Sequence, residues 1–388
     1  MNSVYWIAGC ILGVAWLSRV VDAALGMPKI PDVSRPEWDR APAGNLRVSI
    51  IVPARNEAEK IAEPLAQLLN LEYENYEVIA VNDRSTDRTG EIMDQIAESA
   101  AAHNRLKVIH VGELPPAWLG KTHAMWRAAQ QATGDWLLFT DADVFLQPET
   151  LRRALAYAES AQADHVVVFP QMIMKHAGEK MMIAFFQTLF VFGHRPWKVA
   201  DPKTKDHMGV GAFNLVRRSV YDAVGTYRAL RLEVVDDMKL GKVVKNAGYA
   251  QRVAFGGGLV SIHWAQGVFG VVNNLTKNFF AVLSFQWWRA LLSSFGLVFL
   301  NLCPFLGIWL AHGWAKVPYA VALLCMFGIY AGMSMKSSIP PYYFLLHPIS
   351  TTLFAYTVLR SMVLTLGRGG VVWRGTFYPL EELRKGLV

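Results

Sequence analysis

"WLLFTDADVF", residues 136–145, opens as a buried strand and closes on two carboxylates, Asp141 and Asp143. The run from Trp136 to Thr140 suits a strand covered on both faces, as in a parallel sheet. Before it, "GKTHAMWRAAQQATG" reads as a helix closed by Gly134; after it, "PETLRRALAYAESA" opens a helix with Pro148 near its start. The same alternation extends outward. "VSIIVPA" (Val48–Ala54), "YEVIAVND" (Tyr76–Asp83) and "LKVIHV" (Leu106–Val111) read as strands upstream, and "DHVVVFP" (Asp164–Pro170) as a fifth downstream. Residues 57–70 have helical spacing, with Leu65, Leu68 and Leu69 on one side. "STDRTGEIMDQIAESAAA" (residues 85–102) offers Ser85, Thr86 and Asp87 as helix caps. Strands alternating with helices predict an α/β domain over residues 46–265, its sheet mostly parallel and covered on both faces.

In open sheets of this kind ligands bind beyond the carboxyl ends of the strands. Three polar turns fall there: Pro53-Ala54-Arg55-Asn56-Glu57, Asn82-Asp83-Arg84 and Asp141-Ala142-Asp143. One polar strand-end turn is ordinary; three, each with an acid, point to a site. Neither GxGxxG nor GxxxxGK[ST] occupies the first strand–helix turn, so no glycine loop cradles phosphates there. Two carboxylates one residue apart can both reach a hard divalent cation, which can bridge diphosphate oxygens. The same pair also reads as capping aspartates in a solvated turn.

The chain has 388 residues, 53% of them hydrophobic and 18% charged, and the apolar excess lies at its two ends. Residues 1–25 read as a membrane anchor, since the run from Val4 to Leu25 reaches the ~20 residues a span needs. Arg19, Lys29, Arg35, Arg40 and Arg47 follow its apolar stretch, which predicts an outer N-terminus and a cytoplasmic domain from residue 26. A cleaved signal is the alternative, without a clear positive n-region or cleavage site. Residues 266–366 read as interfacial and transmembrane helices, with spans at 290–311 and 317–333. The segment 342–366 is interrupted by His347-Pro348 and carries Arg360. Its crossing would put the basic tail 367–388 outside, so it is expected to re-enter or lie in the interface. The net charge of +7 fits an anionic membrane surface. No basic cluster interleaved with aromatics appears mid-chain, so nucleic acid is not an expected partner. Cys10, Cys303 and Cys325 lack metal or disulfide spacing. The expected location is the inner or plasma membrane, multi-pass.

Four motifs, in order over roughly residues 46–265, resemble the inverting glycosyltransferases of family 2, which have the GT-A fold. "SIIVPARNE" is similar to that family's first strand and acidic turn. "VNDRSTDRT" resembles its "DDGSTD" element, with Asn82 in place of the first acid and Arg84 in place of the glycine. "GKTHAMWRAAQQATGDWLLFTDAD" resembles the "GK…A…G…hhhhDAD" run, and "EVVDDMKLG" the "ED-x-x-L" element. The resemblance implies a Rossmann-like catalytic domain and a role for each matching position. Pro53, Glu57 and Asp83 would line the base and ribose pocket, and Lys121 would lie near the donor. Asp141 would sit by the ribose or diphosphate, and Asp143 would ligate Mg or Mn. Asp237, in preference to Asp236, would be the catalytic base. Both aspartates also read as the cap of a helix starting near Met238. His263 reads as a further metal ligand or as a polar strand end; Lys277 reads as a phosphate neutraliser or as a membrane-surface lysine.

The polysaccharide synthases' "QxxRW" element is missing. "KNFF" and "GGVVWRGTFY" resemble instead the subgroup that glycosylates membrane lipids, which includes carotenoid-acid and hopene-associated glycosyltransferases. The resemblance therefore implies a nucleotide-sugar donor, UDP-linked, and a lipid acceptor, hopanoid or carotenoid related. Met181 to Phe192 is apolar and too short to span. It reads either as core or, beside Phe279 to Trp288, as part of an interfacial pair with Trp197, Trp287 and Trp288 at headgroup level and Phe185, Phe186 and Phe190 toward lipid. A rival reading is a magnesium-dependent phosphatase of the haloacid dehalogenase type, whose nucleophile strand "FTDADVF" imitates. That nucleophile usually lies on a chain's first strand, whereas three strand–helix units precede this one. A non-enzymatic membrane subunit is the other alternative.

Overall fold

The computed structural model describes residues 2–100 and 105–387. The chain forms two units: a helical one (Met1–Lys29, Met174–Trp197, Trp264–Val371) and an α/β one (Ile30–Ile173, Lys198–His263, Val372–Val388).

In the α/β unit the strands are β1 (Val48–Ala54), β2 (Tyr76–Asp83), β3 (Leu106–Val111), β4 (Trp136–Phe139), β5 (Val144–Leu146), β6 (His165–Phe169), β7 (Gln171–Met172), β8 (Asn214–Arg217), β9 (Gln251–Phe255) and β10 (Val260–Ile262). The main sheet has the order β3-β2-β1-β4-β8-β6-β9. Its strands are parallel except β8, which runs antiparallel to both β4 and β6. A smaller sheet, β5-β10-β7, lies beside the DAD turn in sequence. Ile50, Ile51, Val78, Ile79, Leu137 and Leu138 are fully buried, as a sheet covered on both faces requires. Helix Gly120–Gln131 turns Ala124, Met125, Ala128 and Ala129 inward, and these pack with Ile51, Val81 and Phe139.

Several elements depart from expectation. The first helix starts at Ala62, not Glu57, which places Pro64 in its first turn, where a missing N–H costs no helical hydrogen bond. Strands β5, β7, β8, β9 and β10, two to five residues long, are not among the five read from the sequence. The helix after β2 runs Thr89–Ala100. Asp87 caps it, its Oδ1 accepting from the Thr89 N–H at 3.0 Å. Ala101 and Ala102, read as part of that helix, lie outside the described residues.

Among the described residues of the helical unit, three helices are long and apolar enough to cross a bilayer: Ser3–Lys29, Gly313–Ser334 and Pro341–Arg368. The expected span 290–311 is built from two helices, Trp287–Asn301 and Cys303–Leu310, bent by 46°, as in a broken span or a re-entrant loop. Pro304, which has no N–H to continue the ladder, opens the second piece. The last segment, expected to re-enter or lie in the interface, is a single helix long enough to span. Pro348 lies in the first turn of helix His347–Arg368 and does not break it. Arg360 is also provided for, its Nη1 donating to Thr276 Oγ1 at 2.7 Å and Asn273 Oδ1 at 3.1 Å. Phe185, in the run read either as core or as interfacial, is fully buried against Phe354 and His347, with ring centroids 4.8 Å from each. Helix Gly267–Val282 ends before the left-handed Ser284 and Phe285 (φ 56° and 55°), so Phe279 to Trp288 is not one helix. Trp287 and Trp288 are exposed, while Trp197 packs in a cluster with Trp16 and Met326.

Candidate active site

The parallel register puts the carboxyl ends of β1, β2 and β4 on one sheet edge, and antiparallel β8 begins there, with Asn214 opposite Phe139. The turns after β1 and β2 are tight: Asn56 and Arg84 take left-handed φ of 53° and 54°. Arg84 stands where the resembled element has glycine. An L-residue there costs roughly 1–2 kcal/mol. The bidentate grip of Arg84 on Asp83 (2.7 and 3.0 Å) offsets that strain. Arg55 Nη1 lies 4.0 Å from the same carboxylate. Asn82 faces another way, to His110 Nδ1 at 3.1 Å. The two turns are tied together: Glu57 N–H donates to Thr89 Oγ1 (2.8 Å) and Thr86 N–H to Asn56 Oδ1 (2.8 Å). Pro53, half-buried in β1, pairs with Val81.

Lys121, in the first turn of helix Gly120–Gln131, joins the acids. Its Nζ lies 2.8 Å from Asp141 Oδ1 and 3.6 Å from Asp236 Oδ1. Asp236 and Asp237 open helix Asp236–Asn246, where the helix dipole favours negative charge. Asp237 Oδ1 accepts from Met238 N–H (2.7 Å) and Oδ2 from Gly211 N–H (2.8 Å). Lys121, Asp141, Asp236 and Asp237 line one small cavity with Asn214 and Tyr227. Gly211 links the acids: its carbonyl accepts from Asp141 N–H at 3.0 Å, and a Cβ there would lie 2.5 Å from Asp141 Oδ2. The sequence reading missed it. The available signal was a Gly-x-Gly, "GVGAF" (residues 209–213), ahead of a short apolar run.

The cluster is electrostatically tense. Burial alone would depress the Lys121 ammonium, but Asp141, Asp236 and Asp237 outweigh it and hold it far above its ordinary value. Burial pushes the Asp236 carboxyl up against the pull of Lys121. Burial also raises Asp237, opposed by Lys121 and the Met238 N–H. Asp143 is pushed up to about 6 by burial, then by Asp141 and Glu57.

Beneath Asp237 runs a buried polar chain that the sequence did not reveal. His165 is fully buried between Asn214 Oδ1 and Gln251 Nε2, the latter 2.7 Å from its Nδ1. An amide donating to Nδ1 leaves the ring proton on Nε2, so the imidazole is neutral. Burial pushes its pKa down to about 4. Asn214 Nδ2 in turn reaches the Asp237 carbonyl at 3.4 Å.

Among the described residues no three His, Cys, Asp or Glu side chains group as a metal shell. The expected set Asp141, Asp143 and His263 is therefore not assembled as a three-ligand centre. His263 follows β10, where Ile262 pairs with Val144 of antiparallel β5; one further step of that register would set it opposite Asp143. A cation bound through one or two carboxylates, with phosphates completing its shell, needs no third protein ligand. Asp141 and Asp143 fit that mode. Lys277 lies in the helical unit, in helix Gly267–Val282.

Residues 49–225 match the family described as Glycosyl transferase family 2. The chain thus carries a family 2 glycosyltransferase domain in a GT-A fold. The 4,4'-diaponeurosporenoate glycosyltransferase of Staphylococcus haemolyticus is 24% identical over 216 residues, 55% of this chain and 56% of that protein. The beta-monoglucosyldiacylglycerol synthase of a Synechocystis species is 31% identical over 166 residues, 40% of this chain and 33% of that protein. The match thus spans about half or less of the length of these relatives. Among solved structures, a mannosyltransferase from Pyrobaculum calidifontis in complex with GDP-Man and Mn2+ shares the fold, with TM-score 0.54 and 20% identity over 93% of this chain and 99% of that one. These matches give the phosphatase reading no support.

Proposed function

We propose that the protein is a membrane-bound inverting glycosyltransferase that moves a sugar from a nucleotide sugar, UDP-linked, to a lipid acceptor of hopanoid or carotenoid type. The gathering of Lys121, Asp141, Asp236 and Asp237 in one cavity at the binding edge of a family 2 domain carries this reading. The names of the carotenoid-acid and diacylglycerol relatives support a lipid acceptor.

Inverting transfer is one displacement: the acceptor oxygen loses its proton, bonds to the anomeric carbon, and the bond to the diphosphate breaks. Asp237 takes the proton. Its two backbone N–H bonds orient the carboxylate and favour its charged form, while each oxygen keeps a free lone pair. Lys121 holds Asp141 and Asp236 in place. Glu57, Asp83 and Pro53 position the nucleoside. Asp143 and Asp141 would hold a divalent cation, Mg or Mn, which would supply Lewis-acid neutralisation of the leaving diphosphate. A thermal-shift panel of UDP- and GDP-sugars, with and without Mn2+, tests the reading. Metal-dependent stabilisation by a nucleotide sugar is expected, and no response to any of them would refute it.

The chain's connectivity supports a refined topology. Residues on both sides of 264–371 belong to one α/β unit, so that segment crosses the bilayer an even number of times. Gly313–Ser334 and Pro341–Arg368 provide two crossings, and the bent pair Trp287–Leu310 re-enters. The 17-residue helix Ala177–Gly193 leaves the unit and returns on the same side. The basic tail then shares the cytoplasmic side with the catalytic domain, as the charge rule favours.

A further inference from the structure

The last seventeen residues, Val372–Val388, belong to the α/β unit although some hundred residues of helical chain separate them from it in sequence. They lie on the turns read as the donor pocket. Strands β11 (Gly370–Trp373) and β12 (Thr376–Pro379) pair as a hairpin. Its two-residue turn, Arg374-Gly375, has φ of 46° and 77°. Both central residues are left-handed, as in the type I′ hairpin turn, whose first position favours Asn, Asp or Gly. An arginine held there is strained, and strain of this kind collects where a side chain has a task.

The task is visible in its partners. Arg374 Nη1 donates to the Arg55 carbonyl and Nη2 to the Glu57 carboxylate. Arg55 Nη1 donates back to Thr376 Oγ1 at 2.8 Å. Gly120 N–H, next to Lys121, donates to the Tyr378 hydroxyl at 3.1 Å. Helix Leu380–Lys385 buries Leu383, and Gly386 packs on Leu232, just ahead of Asp236. One strap therefore touches the β1 turn, the start of the Lys121 helix and the approach to Asp236. The Glu57 side chain is only 9% exposed, whereas that of Arg374 is 44% exposed. A carboxylate so buried needs its partner to hold both charge and orientation.

We infer that the C-terminal hairpin completes the nucleotide-sugar site, with Arg374 as the positioning residue for Glu57 and the Glu57 carboxylate set by it to receive the nucleoside. This rests on the reading of Glu57 as a donor-pocket residue. The test uses the full-length protein in detergent, with UDP and GDP, each with Mn2+, as probes in calorimetry. Arg374→Ala should weaken the better-bound nucleotide about tenfold and raise donor KM by a similar factor, with kcat within twofold. Arg374→Lys should recover part of the loss, because an ammonium keeps the ion pair but does not span both acceptors. Glu57→Gln with Arg374→Ala should lose no more than Glu57→Gln alone. Hydrogen exchange should rise at residues 55–57 in Arg374→Ala and stay at wild-type rates in helix Asp236–Asn246. Wild-type nucleotide affinity in Arg374→Ala would overturn the inference while leaving the donor site in place. A fall in kcat with faster exchange throughout would overturn it in favour of a purely structural tail. Failure of the wild-type protein to bind either nucleotide would remove the donor-pocket reading itself, and this inference with it.

Discussion

Gly211→Ala is a one-carbon change aimed at the centre of the acid cluster. Gly211 has no left-handed φ, so an alanine there meets no backbone penalty and acts through contact alone. Its Cβ would lie 2.5 Å from Asp141 Oδ2 and 3.3 Å from Asp141 Cγ. The carboxylate must rotate away, yet its other oxygen is held by Lys121 at 2.8 Å. Overpacking of this kind costs about 1–3 kcal/mol. If the strain falls on the Lys121–Asp141 contact, kcat/KM should drop roughly 5- to 140-fold at about 1.4 kcal/mol per factor of ten. The assay is nucleoside diphosphate release from the nucleotide sugar selected by thermal shift. Gly112→Ala, where a Cβ meets nothing within 4 Å, is the matched control. Equal kcat/KM, within twofold, for both variants and wild type would refute the coupling of Gly211 to the cluster.

Asp237→Asn should lower transfer at least about a thousandfold while nucleotide binding persists, since it removes the proton acceptor and keeps the shape; turnover near wild type would transfer the role to another group. Asp143→Ala should abolish the Mn2+-dependent part of donor binding by calorimetry, and unchanged affinity would count against the metal assignment. His165 titrates near 4 when folded and near its ordinary 6.5 when unfolded, so unfolding takes up a proton between those values. Its stabilising contribution is complete above about pH 6.5 and lost toward pH 4, about 3 kcal/mol in all; His165→Gln should flatten that part of the stability–pH curve, and an unchanged acid limb would refute it. A tag after residue 388 should be digested by protease on the same side as residues 30–173; protection of the tag alone would break the even-crossing argument.

Local pattern made the parallel half of the sheet readable. Strands β1 to β4 and β6 read as apolar runs in a strand–helix alternation, and the acids sit at the ends of β1, β2 and β4. Strand β8, with polar Asn214 and Arg217 at its ends, carries little local signal, and its place between β4 and β6 is fixed by long-range pairing. Pro348 reads in the sequence as a break, but like Pro64 it lies in a helix's first turn, where a missing N–H costs no helical hydrogen bond. Arg360 looked costly in isolation; its cost is met by Asn273 and Thr276, more than eighty residues away. Gly211 and His165 carry little signal in the sequence for the same reason, and Arg374 and Tyr378 stand out there only within "GGVVWRGTFY", with no role attached. Each acts through a partner far off in sequence, and no spacing rule joins residue 374 to residue 57.

The most direct test of the account is glycolipid formation by purified protein in mixed micelles, supplied with its nucleotide sugar, Mn2+ and a hopanoid or carotenoid-acid acceptor, followed by anomeric analysis of the product. The account predicts inverted configuration, one nucleoside diphosphate released per sugar transferred, and neither product from Asp237→Asn. Retained configuration, or equal product from Asp237→Asn, would contradict it.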